Sequence, residues 1–237
     1  MYESVENCTL TLTSKNFPMT RSHNAPLVLG MLFSAAGAVA NAQAYNYPAL
    51  QTPRIVEREY NFAAASASKA GTSLVFQWRE GIQSDWQGGL DAGIAAPRGA
   101  GDTRLILGGA LAYQATRSTS DFPFDVALTA GAGISTGGGY TVLRVPFGAA
   151  IGHTFDLEDN FRLTPYVHPR LSVDRCSTCR GGGSESKLNV DVDLGLDFVA
   201  TPQVSLRLAA LLGGSDYVGG TSSVGFSVAW TPKGLKK

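Results

Sequence analysis

Apolar and polar residues alternate along two long segments of the chain, 161–174 and 187–199. In the second segment every other residue is aliphatic or aromatic, and these residues are Leu188, Val190, Val192, Leu194, Leu196 and Phe198. A period of two is typical of a β-strand and excludes a helix. Both segments exceed the roughly 9 to 11 residues with which a tilted strand crosses a bilayer. Pro165 and Pro169 cost ladder hydrogen bonds in the first segment, so we expect local bulges there.

The same alternation predicts about ten strands, each bounded by Gly, Pro, Asp or Ser. They lie at 55–67, 72–80, 85–95, 103–115, 124–135, 140–154, 161–174, 187–199, 203–212 and 222–230. The alanines of the first segment would also suit a helix, which would leave nine strands, and eight remain an option. The predicted fold is all-β: an antiparallel up-and-down transmembrane β-barrel of about ten strands, preceded by a signal peptide.

The start of the chain has the pattern of an export signal. Arg21 precedes an apolar stretch at 27–40, and the small-residue triplets Ala-Asn-Ala and Ala-Gln-Ala follow, which predicts cleavage after Ala42 or Ala44. The alternative is an anchoring helix, but the stretch is shorter than the about 20 residues that a spanning helix needs. The 18 residues before Met19 have no place in a compact signal, so we expect translation to begin at Met19. The predicted organisation is a signal at 1–44, a barrel at 45–230 and a short polar tail at 231–237.

Composition indicates what surrounds the barrel. The 237 residues include 19 basic and 19 acidic side chains, so there is no electrostatic reason to expect nucleic-acid binding. Between residues 45 and 230 the only lysines are Lys69 and Lys187. A soluble β-protein normally covers its outer face with Lys and Glu. The scarcity of lysine therefore favours an outer face that meets lipid.

Alternation alone does not decide which face of the strands points inward. A soluble, lipocalin-like barrel has its apolar residues inside, whereas a membrane barrel has them outside. The export signal, the scarcity of lysine and the small residues on the polar face favour the membrane barrel. Aromatic residues near predicted strand ends would form an interfacial girdle; these are Trp78, Trp86, Tyr113, Phe155, Phe161, Phe198 and Trp230.

With the polar face inside, the lumen contains a network of paired charges. The residues of this network are Arg79, Asp91, Arg104, Asp125, Arg144, Arg162, His168, Arg170, Asp191, Asp193, Asp197 and Arg207, and the same alternation turns Glu57 and Glu59 inward. Buried ions must pair, and guanidinium pairs with carboxylate in a bidentate manner. Pairing Asp174 with Lys187 places Arg170 opposite Asp191 and His168 opposite Asp193. A barrel of this size can be filled by side chains, so we expect an occluded lumen.

The remaining motifs indicate little chemistry. Segment 175–186 is the longest predicted outward loop, and Cys176 and Cys179 within it are candidates for a local disulfide in an exported protein. Zinc would need two further ligands, and the spacing of Asp191, Asp193 and Asp197 differs from a calcium loop, so we expect no metal and no cofactor. His153 and His168 are not expected at the extracellular rim. We therefore expect structural histidines and no enzyme.

Three segments carry a resemblance to a known family. They are DLEDNFRLTPYVHPRLSVD at 156–174, LGLDFVATPQVSLRLAALLG at 194–213 and SVGFSVAW at 223–230. With their turns and alternating strands they resemble the small bacterial outer-membrane β-barrel proteins. One departure is that Trp230 is followed by TPKGLKK, whereas such proteins usually end on the aromatic residue of the last strand.

The resemblance implies a location in the bacterial outer membrane and insertion by the barrel assembly machinery. We expect a monomer in contact with outer-membrane lipid and without a nucleic-acid partner. The sequence does not identify an external partner. The expected role is structural or surface interaction. A narrow passive channel for small polar solutes is the alternative, and an outer-membrane enzyme or a soluble lipocalin-like carrier is less favoured.

Overall fold

Each long strand pairs antiparallel with the next long strand along the chain, and the first strand pairs with the last. A computed structural model describes residues 45–99, 101–157, 161–179, 183–218 and 222–234. The strands are β1 Arg58–Ala67, β2 Gly71–Gln83, β3 Trp86–Ala96, β4 Arg104–Thr116, β5 Asp125–Gly137, β6 Tyr140–Gly152, β7 Phe155–Asp156, β8 Arg162–Cys179, β9 Gly183–Val199, β10 Val204–Leu212 and β11 Ser223–Trp230.

Two pairings close the sheet into a barrel. Strand β1 pairs with β11, with Tyr60 opposite Trp230. Strand β6 pairs with β8, with Arg144 opposite Asp174, while the two-residue β7 pairs with the start of β8 just after β6. The barrel therefore has ten long strands, and the predicted antiparallel, all-β architecture is confirmed. The predicted signal at 1–44 lies outside the described residues.

Two predicted boundaries are wrong. The first strand begins at Arg58 and not at residue 55, so Glu57 precedes the barrel wall and is exposed instead of facing the lumen. Segment 175–186 is largely strand and not a loop, because β8 continues to Cys179 and β9 begins at Gly183. The irregularity that marks this hairpin is a register shift between Cys176 and Cys179, where Thr178 has a positive φ of 59°.

The two faces of the barrel have the polarity predicted for a membrane protein. Outward side chains such as Phe62 and Leu208 are 61% and 57% exposed, whereas Arg144 and Asp191 are fully buried inside. Among the described strand residues, outward-facing charges occur only near the strand ends, at Arg58, Glu80 and Arg175. A continuous uncharged band therefore surrounds a charged interior.

Outward-facing aromatic pairs gather at one rim of the barrel. We call this the terminal rim, because β1 starts and β11 ends there, and we call the opposite end the distal rim. Ring pairs at the terminal rim are Trp86–Tyr113, Tyr60–Trp230 and Phe161–Phe198, with centroids 4.9, 5.5 and 5.6 Å apart. Aromatic rings favour the interface between hydrocarbon and water, so this rim has the composition of an interfacial girdle.

The only helical element in the described part of the chain is the 3-10 turn Asp216–Val218. No helix in the ranges that the structure describes is long and apolar enough to span a membrane.

Candidate functional site: the barrel lumen

Arg207 is held between two carboxylates near the terminal rim. Its Nη1 and Nη2 donate to Glu59 Oε1 and Oε2 at 2.7 and 2.6 Å, and its Nε donates to Asp197 Oδ1 at 2.8 Å. All three side chains are at least nine-tenths buried. These three hydrogen bonds pair charged groups that would be costly to bury without a partner.

A second cluster joins β6, β8 and β9. Arg144 lies 3.2 Å from Asp174 through Nε and Oδ1, it also pairs with Asp191, and it donates to the Ser172 hydroxyl. Arg170 makes two contacts with Asp193, Nε to Oδ2 at 2.9 Å and Nη2 to Oδ1 at 3.0 Å. These two arginines therefore bind three carboxylates between them.

The predicted register of this hairpin is confirmed, since Asp174 is opposite Lys187, Arg170 is opposite Asp191 and His168 is opposite Asp193. The ion pairs, however, do not join the residues that are opposite each other in this register. Arg170 pairs with Asp193, two residues along from the residue it faces, and Asp191 pairs instead with Arg144 on the far side of β8. Diagonal pairs of this kind are within reach of long side chains on one face of a sheet.

The ion pairs follow the barrel wall. Arg79 on β2 contacts Asp91 on the adjacent strand β3 at 2.6 Å. The pairs of Arg144, Arg170 and Arg207 likewise join adjacent strands or strands separated by one other. These ion pairs therefore run along the wall, and the lumen axis is occupied by other residues.

Three members of the predicted network have other surroundings. The Arg104 guanidinium donates to the carbonyl oxygens of Ser135 and Gly137 at 3.0 Å and stacks on the Tyr140 ring. Asp125 accepts a hydrogen bond from the backbone N–H of Ser118 at 3.0 Å. Arg162 is half-buried at the terminal rim, where it lines a cavity of about 40 Å³ with Asp197 and Arg207.

His168 stands between a hydroxyl and a carboxylate. Its Nε2 is 2.8 Å from Thr129 Oγ1, and its Nδ1 is 3.5 Å from Asp193 Oδ2. Thr129, His168 and Asp193 are arranged like the nucleophile, base and carboxylate of a catalytic triad. However, Asp193 is bound by two nitrogens of Arg170, Nε and Nη2, and its contact with His168 is long. The adjoining cavity holds about 50 Å³, which has room for water and not for a substrate. The arrangement positions His168 and does not form an accessible catalytic site.

Residues 45–57, which we call the lumenal segment, run along the lumen axis and emerge at the terminal rim, where Arg54 and Glu57 are exposed. At the distal rim the Tyr45 hydroxyl donates to the Ala70 carbonyl. Further along, the Tyr47 hydroxyl donates to Asp91 at 3.4 Å, and the Leu50 carbonyl accepts from Arg207 at 3.1 Å. Near the terminal rim the Ile55 N–H donates to Gln114 at 2.8 Å. The lumenal segment thus passes from one rim to the other inside the barrel.

Most of the lumenal segment is buried. Tyr45, Tyr47 and Leu50 are 2% exposed or less, and they pack in an apolar cluster with residues that include Ile106 and Val142. Burial raises the pKa of the Tyr45 phenol, which precedes the membrane-spanning strands, so this hydroxyl is a neutral donor. The cluster closes the distal half of the lumen with apolar side chains.

Sequence reasoning missed the lumenal segment. Its residues, YNYPALQTPRIVE, do not alternate, so the rule that identified the strands has nothing to detect in them. Two tyrosines and two prolines in a stretch with few charges are the only signal, and they do not specify a location inside the barrel.

A close contact between Tyr166 and Gly195 also shapes the interior. The two residues are register partners on β8 and β9, and a Cβ on Gly195 would overlap the Tyr166 ring. The ring therefore occupies the space that the glycine leaves. This packing is the aromatic rescue of glycine that occurs in β-sheets.

Cys176 and Cys179 are joined by a disulfide at the end of β8. No cluster of three or more His, Cys, Asp or Glu side chains that could hold a metal ion occurs among the residues described.

No family model matches the chain, and no curated protein matches it. Among solved structures the chain is similar to the crystal structure of Neisserial surface protein A (NspA), with 17% sequence identity and a TM-score of 0.29. The similarity covers 73% of this chain and 92% of that chain. The fold described above rests on the strand pairings and on the polarity of the two faces.

Proposed function

We propose that this protein is a monomeric bacterial outer-membrane β-barrel with a closed lumen and a structural or surface-interaction role. The observation that carries the proposal is the polarity of the wall: buried Arg–carboxylate pairs lie inside and an uncharged apolar band lies outside. In water this outer face would be a large exposed apolar surface, whereas in lipid it is satisfied.

Membrane fractionation and gel migration test the proposal. The processed chain is expected in the outer-membrane fraction, to require detergent for extraction, and to migrate faster on a gel before boiling than after it. Recovery of a monomeric, detergent-free protein from the periplasm would contradict the proposal and would favour a soluble carrier.

The start of β1 and the end of β11 support an orientation for the barrel. In bacterial barrels the first strand begins and the last strand ends on the periplasmic side, and long connections face outward. The terminal rim would then lie at the periplasmic interface, and the distal rim would face the exterior. The final strand would present Trp230 to the barrel assembly machinery, with the tail after it a departure from the usual terminus.

The β8–β9 hairpin is the part of the distal rim that best suits surface interaction. Pairing of β8 with β6 ends at Ser177 and pairing of β9 with β10 ends at Val192, so the hairpin extends past both neighbours. Its tip carries the disulfide and the exposed residues Glu185 and Lys187. An epitope tag placed between Cys179 and Gly183 is expected to be accessible on intact cells, whereas a tag between Ala200 and Val204 is not.

A narrow passive channel is the second candidate, because the lumen is lined by charges of both signs. The two cavities that border the charge network hold about 50 and 40 Å³, which favours a closed state. Liposome swelling with small sugars and amino acids separates the two candidates, since the closed barrel is expected to give no swelling.

An enzymatic role has less support than either. His168 is fully enclosed, and His153 lies at the terminal rim, where it pairs edge-to-face with Phe155. Replacing His168 by Gln should therefore affect barrel stability and not a surface reaction.

A further inference from the structure

We infer that the lumenal segment 45–57 is a plug, and that the barrel without it is a water-filled passage for small ions. This inference rests on the proposed location in the outer membrane and deepens the proposal of a closed lumen by naming the element that closes it.

The contacts of the lumenal segment span the whole depth of the barrel. They include the carbonyl of Ala70 at the distal rim, Asp91 in the middle and Gln114 near the terminal rim. The Asn46 side chain also accepts from the backbone of Ser215, in the connection between β10 and β11. The lumenal segment therefore has contacts at both rims and in the middle of the lumen.

The wall does not need the lumenal segment for its own closure. The sheet runs through β1 to β11 by pairings between wall strands alone, and the lumenal segment contributes no strand to it. The ion pairs of Arg79, Arg144, Arg170 and Arg207 are likewise formed between wall residues. Deleting residues 45–53 therefore leaves the strand pairings and these ion pairs in place, and it also keeps the 2.7 Å hydrogen bond from the Gly81 N–H to the Glu57 carbonyl.

The lumenal segment covers apolar wall residues such as Ile106 and Val142 in the distal half, but the wall groups that it hydrogen-bonds are hydrophilic. Asp91, Arg207 and Gln77 each make a hydrogen bond to it, and Gln87 and Gln114 bond to it near the terminal rim. Water can satisfy each of these groups in place of the segment, so we infer that water enters the emptied lumen along this polar part of the wall. Charges of both signs would line it, which predicts weak ion selectivity.

The lumenal segment is attached to the wall at one end. It enters β1 at the terminal rim, and the predicted cleavage after Ala42 or Ala44 would leave the amino terminus near the distal rim. Most of its hydrogen bonds to the wall join neutral groups and are each of modest net value, whereas those with Asp91 and Arg207 involve a charged partner. An element tethered at one end and held in this way can leave the lumen without unfolding the wall.

The test compares three processed proteins in planar bilayers: the wild type, a deletion of residues 45–53, and the same deletion with Asp91→Asn. The deletion retains Ile55, which bonds Gln114, and the approach to β1. We expect no steps of current for the wild type and discrete, stable steps for the deletion. Asp91→Asn removes a lumenal negative charge, so it should shift the reversal potential in a salt gradient toward anion preference, which places the current in the lumen.

Heat-modifiable migration of each protein separates failure of folding from failure of the inference. A folded deletion protein without current would overturn the plug while leaving the outer-membrane barrel intact. A wild type with the same current as the deletion would also overturn it, and a wild type that does not insert into membranes would overturn the proposed function itself.

A second variant decides the matter if the deletion does not fold. Replacing Tyr45, Tyr47 and Leu50 by alanine keeps the backbone of the lumenal segment but removes its three largest buried side chains. We expect flickering current from this full-length protein. A folded triple variant that stays as silent as the wild type would contradict the inference.

Discussion

Arg207 and Glu59 lie on strands that are not neighbours, yet their side chains form two hydrogen bonds of 2.7 and 2.6 Å inside the barrel. Strand β11 lies between them and presents only small residues to the lumen, among them Ser227 and Ala229. The long guanidinium side chain can therefore reach over β11 and join both sides of the seam at which the barrel closes.

Replacing Arg207 by alanine is expected to destabilise the barrel strongly. The change leaves Glu59 and Asp197 buried without their cation, and removing one partner of a buried pair costs about 3 to 5 kcal/mol. Urea unfolding in lipid vesicles measures the loss. Arg58→Ala, which breaks an exposed rim pair with Glu80, is the matched control and should leave the unfolding midpoint unchanged.

Arg207→Lys distinguishes charge from geometry. Lysine retains the charge but not the planar, bidentate donor set, so we expect it to restore only part of the stability lost in the alanine variant. Full restoration would show that the fork geometry is unimportant here.

Arg144→Met should be destabilising because of the carboxylates it leaves behind. Methionine fills similar space, but Asp174 and Asp191 then share a buried site without a cation. Adding Asp174→Asn and Asp191→Asn removes both negative charges and is expected to recover much of the loss, since neutral groups are cheaper to bury. A triple variant no more stable than the single one would argue against this cause.

Gly195→Ala is expected to destabilise the barrel by about 1 to 3 kcal/mol, the usual cost of overpacking a closed interior. The added methyl overlaps the Tyr166 ring. The cost of Gly195→Ala should therefore largely disappear when it is measured in a Tyr166→Ala protein, relative to Tyr166→Ala alone. Gly183→Ala is the control, because a Cβ there meets nothing within 4 Å. Equal effects at both glycines would indicate backbone entropy instead of the ring contact.

Charges introduced on the outer face should reveal where the lipid lies. Leu208→Arg, in the middle of the apolar band, is expected to cost about 2 to 4 kcal/mol in a bilayer. Val204→Arg, opposite Trp230 at the terminal rim, should cost about 0 to 1 kcal/mol because the arginine there reaches water. Similar values at the two positions in lipid-refolding titrations would contradict the inside-out polarity.

Replacing Cys176 and Cys179 by serine should loosen the hairpin and leave the barrel intact. The disulfide spans only three residues and lies near the distal end of the β8–β9 pairing. We expect faster tryptic cleavage after Arg175 with unchanged heat-modifiable migration. Thiol alkylation of the wild type with and without reductant checks that the bond forms.

The sequence by itself determined the strands, their faces and even the register of one hairpin. Alternation is a local property: Leu188, Val190 and Val192 share a face because of strand geometry, whatever surrounds them. The same parity rule turned Arg170 and His168 inward and matched them with Asp191 and Asp193.

The tertiary structure decided what fills the lumen and which charges meet there. Residues 45–57 do not alternate, and only the closed wall creates the space and the hydrogen-bonding groups that hold them. Arg170 pairs with Asp193 and not with the residue opposite it, because Arg144 on β6 reaches across β8 and pairs with Asp191. Strand pattern is encoded residue by residue, whereas these contacts exist only after distant strands have come together.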